Sequence, residues 1–200
     1  MPSIYTIDKT RIPTLPHGAA PLPPEVWDWL APPVWRERSE VEHDERILQP
    51  IVYLVLLDGQ HRAWCYQRRG GDARLDTLRS CGVGGHVDRE DAGNAATPLD
   101  VRQTLHNALL RELAEELGAA PHDICDLHPY GWIYEDSTPV GRVHLGVLYR
   151  ATWCAAMEPT PSHGEKLAAL GFHAMEEIAQ DLRFEGWSRL AVGQLLAMGG

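Results

Sequence analysis

The sequence predicts a mixed α/β sandwich. Three observations point there: a β-branched apolar run, "ILQPIVYLVLL" at 47–57, closed by the turn "DGQ"; one long amphipathic helical segment ending in "RELAEELGA"; and two further strand-like runs before the amphipathic stretch "WSRLAVGQLLAM". Strands, helix, strands and helix in that order suit neither an all-β nor an all-α domain. With 200 residues, 44% apolar and 23% charged, the chain is long enough to enclose one core and reads as a single domain with an appendage.

Residues 1–46 are the appendage. They are rich in proline, with Trp27, Trp29 and Trp35 interleaved, and proline at this density excludes a long helix or a central strand. The expectation is an arm of turns and short helical pieces whose tryptophans cover an apolar surface of the main body or of a partner subunit. The domain proper then spans 47–200. Its first strand pairs with "HRAWCYQRR" as a hairpin. "RLDTLRSCGVGGHVD" reads as loop and short strand, where Gly82, Gly84 and Gly85 allow close backbone approach. The polar segment "REDAGNAA" reads as a surface insertion. Thr97 is the expected N-cap of the long helix, with Pro98 at its first position and Asp100 near the positive end of the dipole. The helix should stop at Gly118. "YGWIYEDS" and "RVHLGVLYRATW" follow as strands; in the second, Val143, Leu145, Val147 and Tyr149 share one face and His144, Gly146 and Leu148 the other. A turn-rich loop, "EPTPSHGEK", leads to "LGFHAMEEIAQDL" and the C-terminal helix.

Cys65, Cys81, Cys125 and Cys154 are widely spaced, without a C-x-x-C pair, and read as buried free thiols. No apolar run approaches a bilayer span and no leader pattern stands at the N-terminus, so a soluble, cytoplasmic protein is expected, without a membrane partner. A formal charge of −10 disfavours unassisted nucleic-acid binding, because no basic stripe exists to displace counterions from phosphates, and no nucleic-acid partner is expected.

The chemistry is concentrated in "RELAEELGA", 111–119. At roughly 100° per residue, Glu112, Glu115 and Glu116 fall within an arc of about 100°, while Leu110, Leu113, Ala114 and Leu117 gather on another side. Like charges at this spacing repel, and Arg111 alone cannot neutralise three of them. A solvated acidic face is one explanation. The other is a site for hard divalent cations such as Mg²⁺ or Mn²⁺, for which carboxylate oxygens are preferred ligands. The upstream "GVGGHV" favours the second, since a turn without side-chain bulk brings backbone carbonyl and amide groups to the same cations and to a phosphate.

Gly85 and the later "RELAEELGA" resemble the Nudix box, G-x5-E-x7-R-E-U-x-E-E-x-G-U with U aliphatic. Arg111, Glu112, Leu113, Glu115, Glu116 and Gly118 match its second half, and Ala119 stands in for the last aliphatic residue. "GGHVD" and "PVGRVHLGVLYRA" are further similar to a bacterial subgroup described as MutT-like phosphoesterases. The first half departs: Gly85 to Arg111 is longer than the box by about 12 residues, an excess that a surface loop absorbs. The first glutamate position falls on Asp91 counted forward and on Gln103 counted back.

The resemblance implies a Nudix-type α/β/α sandwich with a mixed sheet, and hydrolysis of a diphosphate linkage in a nucleoside diphosphate joined to another group, dependent on Mg²⁺ or Mn²⁺. It implies Glu112, Glu115 and Glu116 as metal ligands, the Gly85 carbonyl as a further one, Glu112 as ligand or base, and Arg111 as the residue holding the glutamates. The alternative is a non-catalytic nucleotide sensor or interaction module on the same fold, which the altered first half leaves open. A base from outside the box is sought at Glu165, with Glu135 and Asp136 as rivals. Arg68 and Arg69 could reach a phosphate or be solvated strand-end cations. Trp64 and Tyr66 could stack a base but suit core packing better. His86 and His144 read as satisfied structural histidines. Cys81 is the only candidate for the active-site cysteine of an isopentenyl-diphosphate isomerase, which shares this fold. A homodimer is plausible without a motif that specifies it.

Overall fold

The computed structural model of the chain describes residues 3–69, 78–93 and 100–199. Within them lie β1 (Ser3–Asp8), β2 (Gly18–Pro21), α1 (Val26–Leu30), β3 (Val34–Glu37), α2 (Arg38–Val41), β4 (Ile47–Leu57), β5 (Ala63–Arg68), β6 (Arg79–Ser80), β7 (Gly82–Val83), α3 (Val101–Leu117), β8 (Ile124–Tyr134), β9 (His144–Trp153), β10 (Leu167–His173), α4 (Met175–Gln180) and α5 (Gly186–Ala197). The sheet runs β10-β5-β4-β9-β8-β2. β4 and β9 are parallel from Gln49↔His144 to Leu57↔Thr152, and the other neighbours are antiparallel. The sheet is therefore mixed.

β4 is apolar at nearly every position because both its faces are covered. Val52, Leu54 and Leu56 pack with Leu105, Leu109 and Leu113 of α3, whereas Tyr53, Val55 and Leu57 pack with Ala191, Val192 and Leu195 of α5. Period-two alternation thus sends one half of the strand to each helix layer, which makes the α/β/α sandwich. β9 obeys the same rule: Leu145, Val147 and Tyr149 join the α3 side, Leu148 the α5 side. No helix among the described residues is long and apolar enough to cross a membrane.

The structure corrects several local expectations. Asp100, not Thr97, is the N-cap of α3: its carboxylate accepts from the Gln103 amide at 2.8 Å. Thr97 and Pro98 lie outside the described residues. Gly118, in the left-handed region with φ of 61°, ends α3 as expected. The buried stripe runs through Leu105, Leu109, Leu113 and Leu117, while Ala114 is exposed. The first part of "REDAGNAA" forms a short 3-10 turn, Arg89–Ala92, with Arg89 and Glu90 exposed and Asp91 buried; residues 94–96 lie outside the described residues. Cys125 and Cys154 are not free thiols; they are joined by a disulfide across the β8–β9 pair, with Cα atoms 6.1 Å apart, while Cys65 and Cys81 are free and buried.

Residues 3–46 hold more than turns and helical pieces. β1 pairs with β3 and continues onto β4, and β2 pairs with β8 at the sheet edge. Tyr5, Ile7, Val26 and Leu30 are buried in the α3-side core, and Trp27, Trp29 and Trp35 pack against it. The Tyr5 hydroxyl donates to the Leu30 carbonyl.

Two outcomes follow from this packing. Leu109→Ala should destabilise the chain by about 2–5 kcal/mol, read from urea denaturation. A chain starting at Ile47 would expose the apolar surface that Tyr5, Ile7, Val26 and Leu30 cover; it should lose its cooperative melting transition or precipitate, as circular dichroism and sedimentation would report.

Candidate active site

The site starts from the chain that leaves β7. A Cβ on Gly84 (φ of +147°) would stand 1.9 Å from the Val52 carbonyl oxygen, so no side chain fits there. One on Gly85 would stand 2.5 Å from Glu112 Oε1. The Gly85 carbonyl accepts from the Val52 amide at 3.0 Å. This segment is therefore held between β4 on one side and the carboxylate of Glu112 on the other.

Arg111 fixes α3 to it. Its Nε and Nη2 donate to the two oxygens of Asp91 at 3.0 and 2.9 Å, Nη2 also to the His86 carbonyl at 2.8 Å, and Nη1 to Glu112 at 2.9 Å and Glu115 at 3.3 Å. Asp91 is 5% exposed; its Oδ2 also accepts from the Asp88 amide, and its carbonyl from Asn107. Asp91, the position counted forward from Gly85, thus carries the acid that meets Arg111. Gln103 sits in the first turn of α3, bonded to Asn107. A planar guanidinium against a carboxylate through two N–H groups is the strongest ion-pair geometry available to the chain.

The three glutamates are not equivalent. The Glu115 side chain is 56% exposed, that of Glu112 only 14%. Burial pushes the Glu112 carboxyl above its ordinary range, with Arg111 opposing and Glu115 and Asp88 adding to the rise. Glu116 goes further: burial raises it to about 8, against the Arg68 charge, with Glu112 and Glu165 adding to the rise and a hydrogen bond from the Gly84 backbone lowering it. Its Oε2 is buried with no hydrogen-bond partner. Loop 154–166 reaches this corner because the Ser162 amide donates to the Glu116 carbonyl at 2.7 Å and the Glu165 amide to the Ser162 carbonyl at 3.1 Å. Glu165 is exposed beside Glu116. Nothing in the spacing of "EPTPSHGEK" signals that clasp, which depends on the path of a loop between β9 and β10.

Other candidates are engaged elsewhere. Glu135 accepts from Ser137 and Thr138, and Asp136 lies 3.0 Å from His17. His86 Nε2 is 2.9 Å from Gln49 Oε1 and 3.2 Å from His144 Nε2, and His144 Nδ1 is 2.7 Å from the Val140 carbonyl; both are satisfied inside the fold. Trp64 and Tyr66 are core residues. Cys81 belongs to the α5-side core, its thiol pushed up to about 12 by burial, whereas the glutamates lie on the α3 helix. The isomerase reading has no thiol at the carboxylates.

Among the described residues no group of three or more His, Cys, Asp or Glu stands close enough to cage an ion. The donor set nevertheless fits a hard cation. Glu112 and Glu116 are half-buried carboxyl groups that disfavour each other's ionisation, and Glu116 Oε2, desolvated without a hydrogen-bond partner, is an oxygen whose ionised form a cation would favour.

A mixed sheet between helical layers, with a glycine-rich turn pressed on a glutamate-bearing helix, is an arrangement shared with hydrolases of phosphoric anhydrides. The chain belongs to the NUDIX domain family, whose model matches residues 47–192. It is a Nudix-type hydrolase. Protein YmaB of Bacillus subtilis (strain 168) is 31% identical over 160 residues, covering 78% of this chain and 74% of that protein. The crystal structure of Tm1382, assigned as a Nudix hydrolase, superposes with a TM-score of 0.75 at 27% identity over 98% of this chain and 99% of the other. The NUDIX domain of Shewanella oneidensis NrtR, complexed with ADP ribose, shares the fold with a TM-score of 0.55 at 14% identity, over 76% and 89% of the two chains.

Asp91→Ala should cost ~3 kcal/mol in chemical denaturation, because it strips Arg111 of its bidentate partner in a buried setting. Glu116 makes a second test. Between its ordinary value of 4.5 and about 8, the folded metal-free chain keeps a proton that the unfolded chain has released, so this group lowers stability as pH rises through that window. Metal-free Glu116→Gln should melt above the parent chain beyond about pH 8, with the gap closing near about pH 5.

Proposed function

We propose that this hydrolase is a Mg²⁺- or Mn²⁺-dependent diphosphatase whose substrate is a nucleoside diphosphate joined to a further group. The observation that carries the reading is the buried, unpartnered Oε2 of Glu116 beside Glu112. Burying a carboxylate with one oxygen left without a hydrogen-bond partner has a stability cost, and a cation on that oxygen would remove it. ADP ribose, held by the NrtR NUDIX domain, is itself a nucleoside diphosphate joined to a sugar, the class assigned to this chain.

Glu112 and Glu116 would hold the cation, with Glu115 at the exposed rim. The Gly85 carbonyl, which already accepts from Val52, has a second lone pair to offer. When bound, the cation offsets charge on the phosphoryl oxygens and lowers the pKa of water. Arg111 keeps Glu112 pointed at the glycine turn. Glu165 is the candidate base: it stands in a loop clasped to the end of α3 and takes a proton on its carboxylate. Ser162 positions it through the backbone.

The test is a panel of sugar, dinucleoside and CoA diphosphates assayed with Mg²⁺ and with chelator. Glu116→Gln should lower kcat/KM by at least about a hundredfold. Glu165→Gln should lower kcat and flatten the acidic limb of its pH profile. Tight binding of one compound without turnover would instead support the sensor.

A further inference from the structure

We propose that the cleft between α4, the first turn of α5 and loop 135–143 binds a small organic anion with a flat apolar body, its oxyanion on Arg189. The inference is independent of the diphosphatase reading. Glu112 and Glu116 belong to α3, on one side of the sheet, whereas α5 packs on the other. The cleft encloses about 570 Å³ and is lined by Glu135, Ala179, Glu185, Trp187, Arg189 and Leu190. Clefts that hold small ligands span roughly 300–1,000 Å³ and combine apolar walls with a few convergent polar groups.

Arg189 is the polar group that the fold leaves unmatched. Its side chain is half-buried, its Nε is closed off from water without a hydrogen-bond partner, and no ion pair meets the guanidinium among the described residues. Two carboxylates line the same cleft, and neither closes on it. Glu185 stands four residues earlier, the spacing at which helical side chains pair. Its Oε1 instead accepts from the hydroxyls of Tyr53 at 3.1 Å, Ser80 at 2.7 Å and Ser188 at 3.3 Å. Glu135 accepts from the Ser137 amide at 2.7 Å and from the hydroxyls of Ser137 and Thr138. Both acids are thus held by neutral donors, and the charge of Arg189 is left to the cleft it lines. The surrounding wall gives the guanidinium no acceptor even where water is shut out, so an acceptor arriving in the cleft removes a desolvation cost. Charge and a planar fork of donors together select a carboxylate or phosphate over a neutral carbonyl.

The apolar half of the cleft sets the shape of the ligand body. Trp187 lies against the sheet: a Cβ on Gly146 would stand 2.7 Å from its Cζ3, and its ring meets Tyr53 edge-on with centroids 5.8 Å apart. The indole is therefore fixed before a ligand arrives, and with Leu190 and Ala179 it makes a rigid apolar wall in the same cleft as the guanidinium. A flat ring that carries an oxyanion matches both halves.

The probes are benzoate, phenyl phosphate and neutral benzamide, each titrated into the full chain by calorimetry and by NMR of the Arg189 Nε–H and Trp187 indole N–H resonances. At least one of the two anions should shift both resonances and bind at least about tenfold more tightly than benzamide; which one does so tells a carboxylate ligand from a phosphate. Arg189→Gln should weaken that binding at least about tenfold and lose the rise in melting temperature that the anion gives the parent chain. The resonances are read on the intact protein, so the site is tested even if Arg189→Gln does not fold. Glu116→Gln should bind the anion as the parent does, whether or not the parent cleaves a diphosphate. Resonances that stay still with all three probes, equal affinity for the anions and benzamide, or an Arg189→Gln protein that binds the anion as tightly as the parent would each overturn the site. Loss of the binding in Glu116→Gln would move the anion to the α3 carboxylates and overturn it as well.

Discussion

The Arg111 guanidinium is the contact on which the rest of the site depends. It joins the last turns of α3 to the buried Asp91 of the 3-10 turn and to the carbonyl of His86 next to the glycines. Its remaining donors reach Glu112 and Glu115. One side chain therefore fixes the register between a helix, a turn and a loop that do not touch through regular secondary structure. A partly buried arginine carries its own desolvation cost, which is met here by a two-point carboxylate contact and a carbonyl. Without that contact the glutamates would be ordinary surface acids.

The sheet keeps two sorts of polar chemistry apart. On the α5 side, Tyr53, Ser80, Ser188 and Glu185 form a hydrogen-bonded cluster with the Cys81 amide. Its members satisfy one another, so it anchors α5 and asks for no ligand. On the α3 side, Glu112 accepts from Arg111 and Glu116 from the Gly84 backbone, yet Glu116 Oε2 is buried without a hydrogen-bond partner. The two clusters share the short strands β6 and β7, yet only one is left incomplete.

Shape and charge converge at one end of the sheet. The hairpin of β5 and β10, the glycines after β7 and the end of α3 meet there, each supplying a different ingredient: cations, backbone groups and carboxylates. An acidic chain would handle an anionic ligand best where its field is locally inverted, and at this corner Arg68, Arg69 and Lys166 come to the end of the sheet where Glu116 lies. The first 46 residues serve the same end indirectly, since β1 and the tryptophan-bearing segment complete the core under α3 that keeps the helix in place.

Much of this was legible in sequence because it is short-range. The apolar run of β4, the alternation of β9, the glycine stop at Gly118 and the clustering of Glu112, Glu115 and Glu116 are all local in the chain, and the box resemblance follows mostly from spacing within a single helix. What the sequence could not decide is which groups meet across long loops. That Asp91 meets Arg111, and that Glu165 rather than Glu135 stands beside Glu116, depends on the path of the backbone between elements. So do the Cys125–Cys154 bond and the strands formed before Ile47. The unequal burial of Glu115 and Glu116, adjacent and identical in composition, makes the point most simply: helical phase places both on one flank, but only the packing of a glycine turn and a distant loop removes water from one of them.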